Sequence, residues 1–231
     1  MTNPLNFPQT CATALAVANP FSSTDYGLAR WFHERLTPAF VDVLRAFTDF
    51  GCAEWIGIVL FALVVFFVWK RWWPSLVTLI VAVPGGMLLN ECIKVLVHRH
   101  RPFVDGPFVD WSGYSFASGH TIGATLLYGQ LLLFALPLLR ARHWRLLCIV
   151  TAALLVVLVG FSRVALGAHF LTDVLAAIFF GAAWLTFCFI TGTSIRRYRR
   201  YPANSLPITS ELVVLAVEQP AVQPTQVSLH N

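Results

Sequence analysis

Five apolar runs constrain this chain more than any other feature. A membrane-spanning helix needs about 20 predominantly apolar residues. The runs cover roughly 54–70, 74–97, 119–139, 144–162 and 170–191, and each reaches that length or nearly so. Backbone groups in hydrocarbon find no water to bond, so each run is expected as a helix. Composition agrees. The 231 residues are 57% hydrophobic and 12% charged, with mean hydropathy +0.69, whereas soluble domains carry about 25% charged residues. The expected fold is all-α, a polytopic transmembrane helical bundle of five spans. Residues 10–21 are the candidate for a sixth.

The rest of the chain divides around that bundle. In the second run, Pro84-Gly85-Gly86 should kink the helix and let a neighbour approach closely. Between residues 28 and 50, Leu28, Trp31, Phe32, Leu36, Phe40, Val43, Leu44 and Phe47 recur at helical spacing, with Arg30, Glu34, Arg35, Asp42 and Arg45 between them. That pattern suits amphipathic helices at the membrane interface, interrupted near Pro38. The stretch 201–231 is rich in Pro, Gln, Val and Ser and is expected to be disordered. The organisation is therefore an N-terminal segment, 1–27, a membrane domain, 28–200, and a tail, 201–231. The N-terminus has no positive region and contains prolines, which argues against a cleaved signal peptide. Cys11, Cys52, Cys92, Cys148 and Cys188 are far apart and form no C-x-x-C pair, so neither a zinc site nor a redox motif is supported.

The net charge is +5. The basic residues are scattered between apolar runs and form no continuous patch, which excludes nucleic acid as a partner. They sort by side instead. Lys70-Arg71, then Arg140, Arg142 and Arg145, then Arg196, Arg197, Arg199 and Arg200 lie two spans apart. All three groups therefore face one side, cytoplasmic by the positive-inside rule. Connections 98–118 and 163–169 face outward, and the C-terminus is cytoplasmic.

Those outward connections hold the residues with chemical potential. His169 and Asp173 are four apart, so on a helix they share a face. A carboxylate one turn along would orient the imidazole, leaving the other nitrogen as nucleophile or base. The competing reading is a headgroup anchor with a satisfied His–Asp pair. Ser118-Gly119-His120 leads into a run. A helix N-terminus there would bind an anion and His120 would donate a proton, although an ordinary N-cap serine also fits. Lys94 and Arg101 are seven apart, two helical turns on one face, and Pro102 ends the helix. They either grip a phosphate or snorkel to the interface. Arg99, His98 and His100 are assigned to the interface, and Asp105 and Asp110 have no assigned role.

Together, in this order and on one side, the three segments resemble the signature of the type 2 phosphatidic acid phosphatase superfamily. That signature is K-x6-R-P, P-S-G-H and S-R-x5-H-x3-D. Here it is carried by Lys94, Arg101 and Pro102; by Ser118, Gly119 and His120; and by Ser162, Arg163, His169 and Asp173. Ala117 replaces the usual proline and supplies no φ lock of its own.

The resemblance implies an integral membrane, metal-independent phosphatase without a cofactor. His169 would attack phosphorus, Asp173 would orient it, and a phosphohistidine would form. His120 would protonate the leaving oxygen and then activate water. Lys94, Arg101, Arg163, Ser118 and Gly119 would hold the phosphoryl oxygens. No carboxylate cluster suited to Mg²⁺ appears. The expected substrate is a lipid phosphate or diphosphate, namely undecaprenyl diphosphate, phosphatidylglycerophosphate, phosphatidate or a lipid A phosphate. The site would face outside or the periplasm. The alternatives are a lipid phosphotransferase using the same intermediate and a non-catalytic phospholipid-binding protein. A soluble haloperoxidase with a similar anion cradle is excluded by the apolar runs.

Overall fold

The computed structural model describes residues 21–102 and 113–200, which form seven helices and, among the described residues, no strand. They are α1 (Ser22–His33), α2 (Pro38–Asp49), α3 (Ala53–Trp69), α4 (Trp73–Val97), α5 (Gly119–Ala135), α6 (Arg142–Ala165) and α7 (Leu171–Arg200). The chain divides into two compact units, residues 1–190 and 191–231. All contacts below lie within the first. Residues 10–20 of the candidate sixth span, Asp105, Asp110 and the tail 201–231 lie outside the described residues.

Among the described residues, four stretches are long and apolar enough to cross a bilayer: Pro38–Trp69, which takes in α2 and α3, Trp73–Val97, Arg142–Ala165 and Leu171–Ser194. The remaining expected run, 119–139, becomes α5, of only 17 residues, so four spans rather than five meet that length. At 1.5 Å per residue that is about 25 Å, less than a hydrocarbon core of about 30 Å. Pro137 has no N–H to extend the ladder, so the helix stops at Ala135. Its surroundings explain why a short helix is tolerated. Every residue from Thr121 to Tyr128 is buried, so α5 meets protein on all sides there instead of lipid.

Around this central helix pack α3, α4 and α6. The core joins Leu79, Ala82 and Val83 of α4 to Ile122, Leu126 and Leu127 of α5, with Val159 of α6 and Ala177 of α7. The close approach expected at the Pro-Gly-Gly is present. A Cβ on Gly86 would lie 2.6 Å from Leu126 Cδ1 and 2.8 Å from Trp184 Cδ1. The Trp184 indole also donates to the carbonyls of Ala82 (3.1 Å) and Val81 (3.2 Å). These acceptors adjoin Ile80, whose carbonyl is the one that loses its i+4 donor to Pro84. Outward-facing Ile58, Phe61, Leu96, Leu154 and Phe179 are each more than half exposed, a surface suited to lipid.

The amphipathic stretch forms two helices, and Pro38 starts the second at its first turn. Val41, Leu44 and Thr48 are buried, with Val41 and Leu44 packed on Ala165 and Leu166. Helix α1 begins at Ser22 and crosses the boundary expected at residue 27. Its buried face carries Ala29 and, unexpectedly, Asp25.

The turn between α2 and α3 sits on α5. A Cβ on Gly51 would lie 2.8 Å from the backbone oxygen of His120 and 2.6 Å from Val159 Cγ1. The backbone oxygen cannot move aside. Gly51→Ala is therefore expected to destabilise the protein by about 1–3 kcal/mol. By contrast, Gly57 has open space around it, and Gly57→Ala should be neutral or add up to about 1 kcal/mol. Thermal unfolding of both variants in detergent checks this; equal melting temperatures would refute the tight packing at Gly51.

Candidate active site

The motif residues gather where α4 and α6 finish and α5 and α7 begin. Helix α4 stops at Val97 because His98 takes a left-handed conformation (φ 51°, ψ 32°), unfavourable for a residue with a Cβ. Arg101 thus lies beyond the helix, and Lys94 and Arg101 do not share a helical face as expected. Arg101 reaches the site from the extended segment. Its Nη1 donates to the Ala168 carbonyl at 2.9 Å and lies 3.3 Å from His169 Nε2, while its Nε donates to the Gly113 carbonyl at 3.2 Å. Burial lowers the Arg101 pKa below the ordinary guanidinium value, and the Asp173 charge opposes that shift. Lys94 approaches from the last turn of α4. Its Nζ is 2.7 Å from Glu91 Oε1 and 3.3 Å from where a Cβ on Gly119 would sit. A side chain at 119 would crowd the ammonium.

Ser118 occupies the N-cap position of α5, but its side chain makes no capping hydrogen bond. Its hydroxyl accepts from Thr121 Oγ1 at 2.9 Å. The ordinary N-cap reading of this serine is therefore not what forms, and the positive end of α5 points into the site. His120 follows in the first turn, within electrostatic reach of Arg163, His169, Lys94 and Arg101. Ala117 is fully buried in the core, so packing holds the position where a proline was expected.

Arg163 ends α6, is 2% exposed, and donates from Nη1 to Thr48 Oγ1 of α2 at 3.1 Å. Its carbonyl accepts the amides of Ala168 and His169, folding the intervening loop back on the helix end. Helix α7 begins at Leu171, so His169 precedes it and the expected His–Asp pairing on one helical face is corrected. His169 Nδ1 lies 2.7 Å from the Ser115 carbonyl and 3.8 Å from Asp173 Oδ2. An Nδ1–H donating to Ser115 leaves the Nε2 lone pair on the Arg101 side. Burial lowers the His169 pKa from 6.5 to about 4, opposed by Asp173 and reinforced by Arg163 and Arg101. The imidazole is neutral at physiological pH.

Asp173, fully buried, accepts three hydrogen bonds through its carboxylate. It caps the Phe170 amide at 3.0 Å, accepts from Ser115 Oγ, and takes a charged bond from Arg99 Nη1. Arg99 also binds Asp25 Oδ2 of α1 at 2.9 Å and lies 4.3 Å over the Phe170 ring. Asp25 in turn accepts the Thr172 amide at 3.2 Å and its hydroxyl. The assignment of Arg99 to the interface is thus overturned: two buried carboxylates draw it inward. Asp25, Ser115, Thr48 and Arg99 were missed from sequence. A signal existed for Asp25, which shares the i, i+4, i+7 face of Ala29 and Phe32, and for Thr48, seven residues after Val41.

The model of the PAP2 superfamily matches residues 72–197. Phosphatidylglycerophosphatase B of Bacillus subtilis (strain 168) is 34% identical over 170 residues, covering 71% of this chain and 80% of that protein. The crystal structure of the first transmembrane PAP2 type phosphatidylglycerolphosphate phosphatase, also from Bacillus subtilis, superposes with TM-score 0.70 at 27% identity, covering 81% of this chain and 94% of that one. The crystal structure of Aquifex aeolicus LpxE shares the fold, with TM-score 0.55 at 21% identity over 72% of this chain and 94% of the other.

Removing Arg99 would leave two buried carboxylates without their shared cation. Arg99→Ala should cost about 3–5 kcal/mol, and Arg99→Lys should not restore it, because one ammonium cannot fork between both. Thermal unfolding in detergent decides; a loss under about 1 kcal/mol would return Arg99 to the interface. The His169 shift gives a second expectation. With the folded pKa depressed, unfolded chains bind the extra proton, so stability falls as pH drops from 6.5 towards about 4. Wild type should lose melting temperature across that window relative to His169→Gln; parallel curves would contradict the buried neutral imidazole.

Proposed function

The chain belongs to the PAP2 superfamily, and from that membership we propose that it hydrolyses the phosphomonoester of a membrane glycerophospholipid, phosphatidylglycerophosphate foremost. The Bacillus subtilis relatives, whose names specify that activity, support the substrate. One observation carries the chemistry. Arg101 Nη1 stands 3.3 Å from His169 Nε2, and Lys94 and Arg163, from two other segments, lie with them within electrostatic reach of His120.

Phosphoryl transfer asks a protein mainly for in-line positioning and compensation of charge on the equatorial oxygens. His169 Nε2 attacks phosphorus while the bond to the leaving oxygen breaks. The ring becomes a phosphorylated cation whose Nδ1–H remains on the Ser115 carbonyl and whose charge Asp173 stabilises. The arriving dianion favours protonated His120, which gives its proton to the departing alkoxide. His120 then takes a proton from water, the water oxygen attacks phosphorus, and the P–N bond breaks, restoring His169. Lys94, Arg101, Arg163, Ser118 and the Gly119 amide hold the three equatorial oxygens. These cations supply the positive charge, so the reaction proceeds without a metal. By the positive-inside argument the site opens away from the cytoplasm.

Phosphate release from short-chain phosphatidylglycerophosphate in detergent tests the proposal. His169→Ala should fall to background, Asp173→Asn should retain a trace, and Lys94→Ala, Arg101→Ala and Arg163→Ala should each lose about 10²-fold or more. Exposed Arg145 serves as the control, unchanged as Ala. EDTA should have no effect, and vanadate should inhibit. Near-normal turnover by His169→Ala would reject the nucleophile. Cysteines placed singly at positions 108 and 143 in a cysteine-free background should label from outside and only after permeabilisation, respectively; the reverse pattern would move the site to the cytoplasm.

A further inference from the structure

A pocket opens beside His120, lined by Gly51 and Ala53 from the α2–α3 junction, Met87, Asn90 and Glu91 from α4, and Gly119, His120 and Ile122 from α5. The loop that carries His169 contributes nothing to this lining. Asn90 stands one turn before Lys94, is 1% exposed, and its Oδ1 has no hydrogen-bond partner in the protein. Glu91, the other polar group on this wall, is occupied by the Lys94 ammonium at 2.7 Å. A buried carbonyl oxygen without a donor is costly, and more so inside a membrane helix. Such a group calls for a partner that the protein itself does not supply.

Resting on the phosphatase reading above, we propose that this pocket is the leaving-group subsite and that Asn90 accepts a hydrogen bond from a hydroxyl on the carbon next to the phosphoester carbon. In-line displacement puts the departing oxygen opposite His169, against His120. The alcohol attached to that oxygen therefore enters the His120 pocket, with Ala53, Met87 and Ile122 against its carbons. The terminal glycerol of phosphatidylglycerophosphate carries such a hydroxyl. Phosphatidate, acylated at that position, and prenyl phosphates do not. Sites built to bond a hydroxyl discriminate strongly against the analogue lacking it, because the protein group is left unpaired. Asn90 thus sets specificity among lipid phosphates that the cations alone would accept equally.

The test compares dihexanoyl phosphatidylglycerophosphate with its counterpart whose terminal glycerol lacks the secondary hydroxyl, on wild type and Asn90→Leu. Hydrolysis gives kcat/KM, and thermal stabilisation by each lipid on the His169→Ala background gives binding. Wild type should prefer the hydroxylated lipid by about 10-fold or more in both measurements, and Asn90→Leu should bring the ratio to within about 2-fold of one. The melting temperature of Asn90→Leu should not fall, since an unpaired carbonyl is replaced by an apolar group. Equal rates on the two lipids in wild type, or a preference that survives in Asn90→Leu, overturns the subsite. A binding preference without hydrolysis of either lipid overturns the phosphatase reading and leaves the subsite standing.

Discussion

The carboxylate of Asp173 is fully buried, and an isolated charge there would cost several kcal/mol. Everything at this end of the bundle answers that requirement. Arg99 supplies the countercharge, Ser115 a hydroxyl, and the Phe170 amide a bond that also starts α7. The same serine presents its carbonyl to His169 Nδ1 at 2.7 Å. Fixing the carboxylate thus fixes the segment that aims the imidazole. Asp173 influences His169 by charge at 3.8 Å and by holding Ser115 in place.

The opposite imbalance exists a few residues away. Arg163 is buried and Arg101 half-buried, and they repel one another, while the carboxylate beside Lys94 belongs to exposed Glu91. Negative charge is concentrated on Asp173 and Asp25, where Arg99 absorbs it. Positive charge is concentrated around His120 and the uncapped start of α5. The fold keeps these two regions apart, with His169 between them.

Much of this was legible from residue order. Long uncharged runs announce helices, the Pro-Gly-Gly marks a close packing point, and the three motifs fall at matching helix ends because each borders an apolar run. What escaped were contacts between distant segments. Nothing local distinguishes Arg99 from the basic residues flanking it; its role comes from Asp25, 74 positions earlier, and Asp173, 74 positions later. The shared face inferred for Lys94 and Arg101 failed at one backbone angle, the left-handed His98, which composition does not encode. The His169–Asp173 pairing was inferred from spacing alone, and the start of α7 at Leu171 shifts it by placing the histidine outside the helix. Asn90 looks like any polar residue in a helix until its burial is known.

The bond from the Thr172 amide to Asp25 joins residues 147 positions apart. During synthesis the first described helix is made long before the strongest of its partners. Until α7 emerges, Asp25 has no Thr172 to cap and Arg99 has no second carboxylate to bridge. A nascent chain inserted through its first six helices therefore holds Lys94, Arg101, His120 and Arg163 but lacks His169 and its support. On the proposed reading, catalytic competence arrives late in biogenesis, as the last span docks against the first helix. Contacts of such long range form slowly, so a chain stalled before that docking would reside in the bilayer with this end of the bundle incomplete.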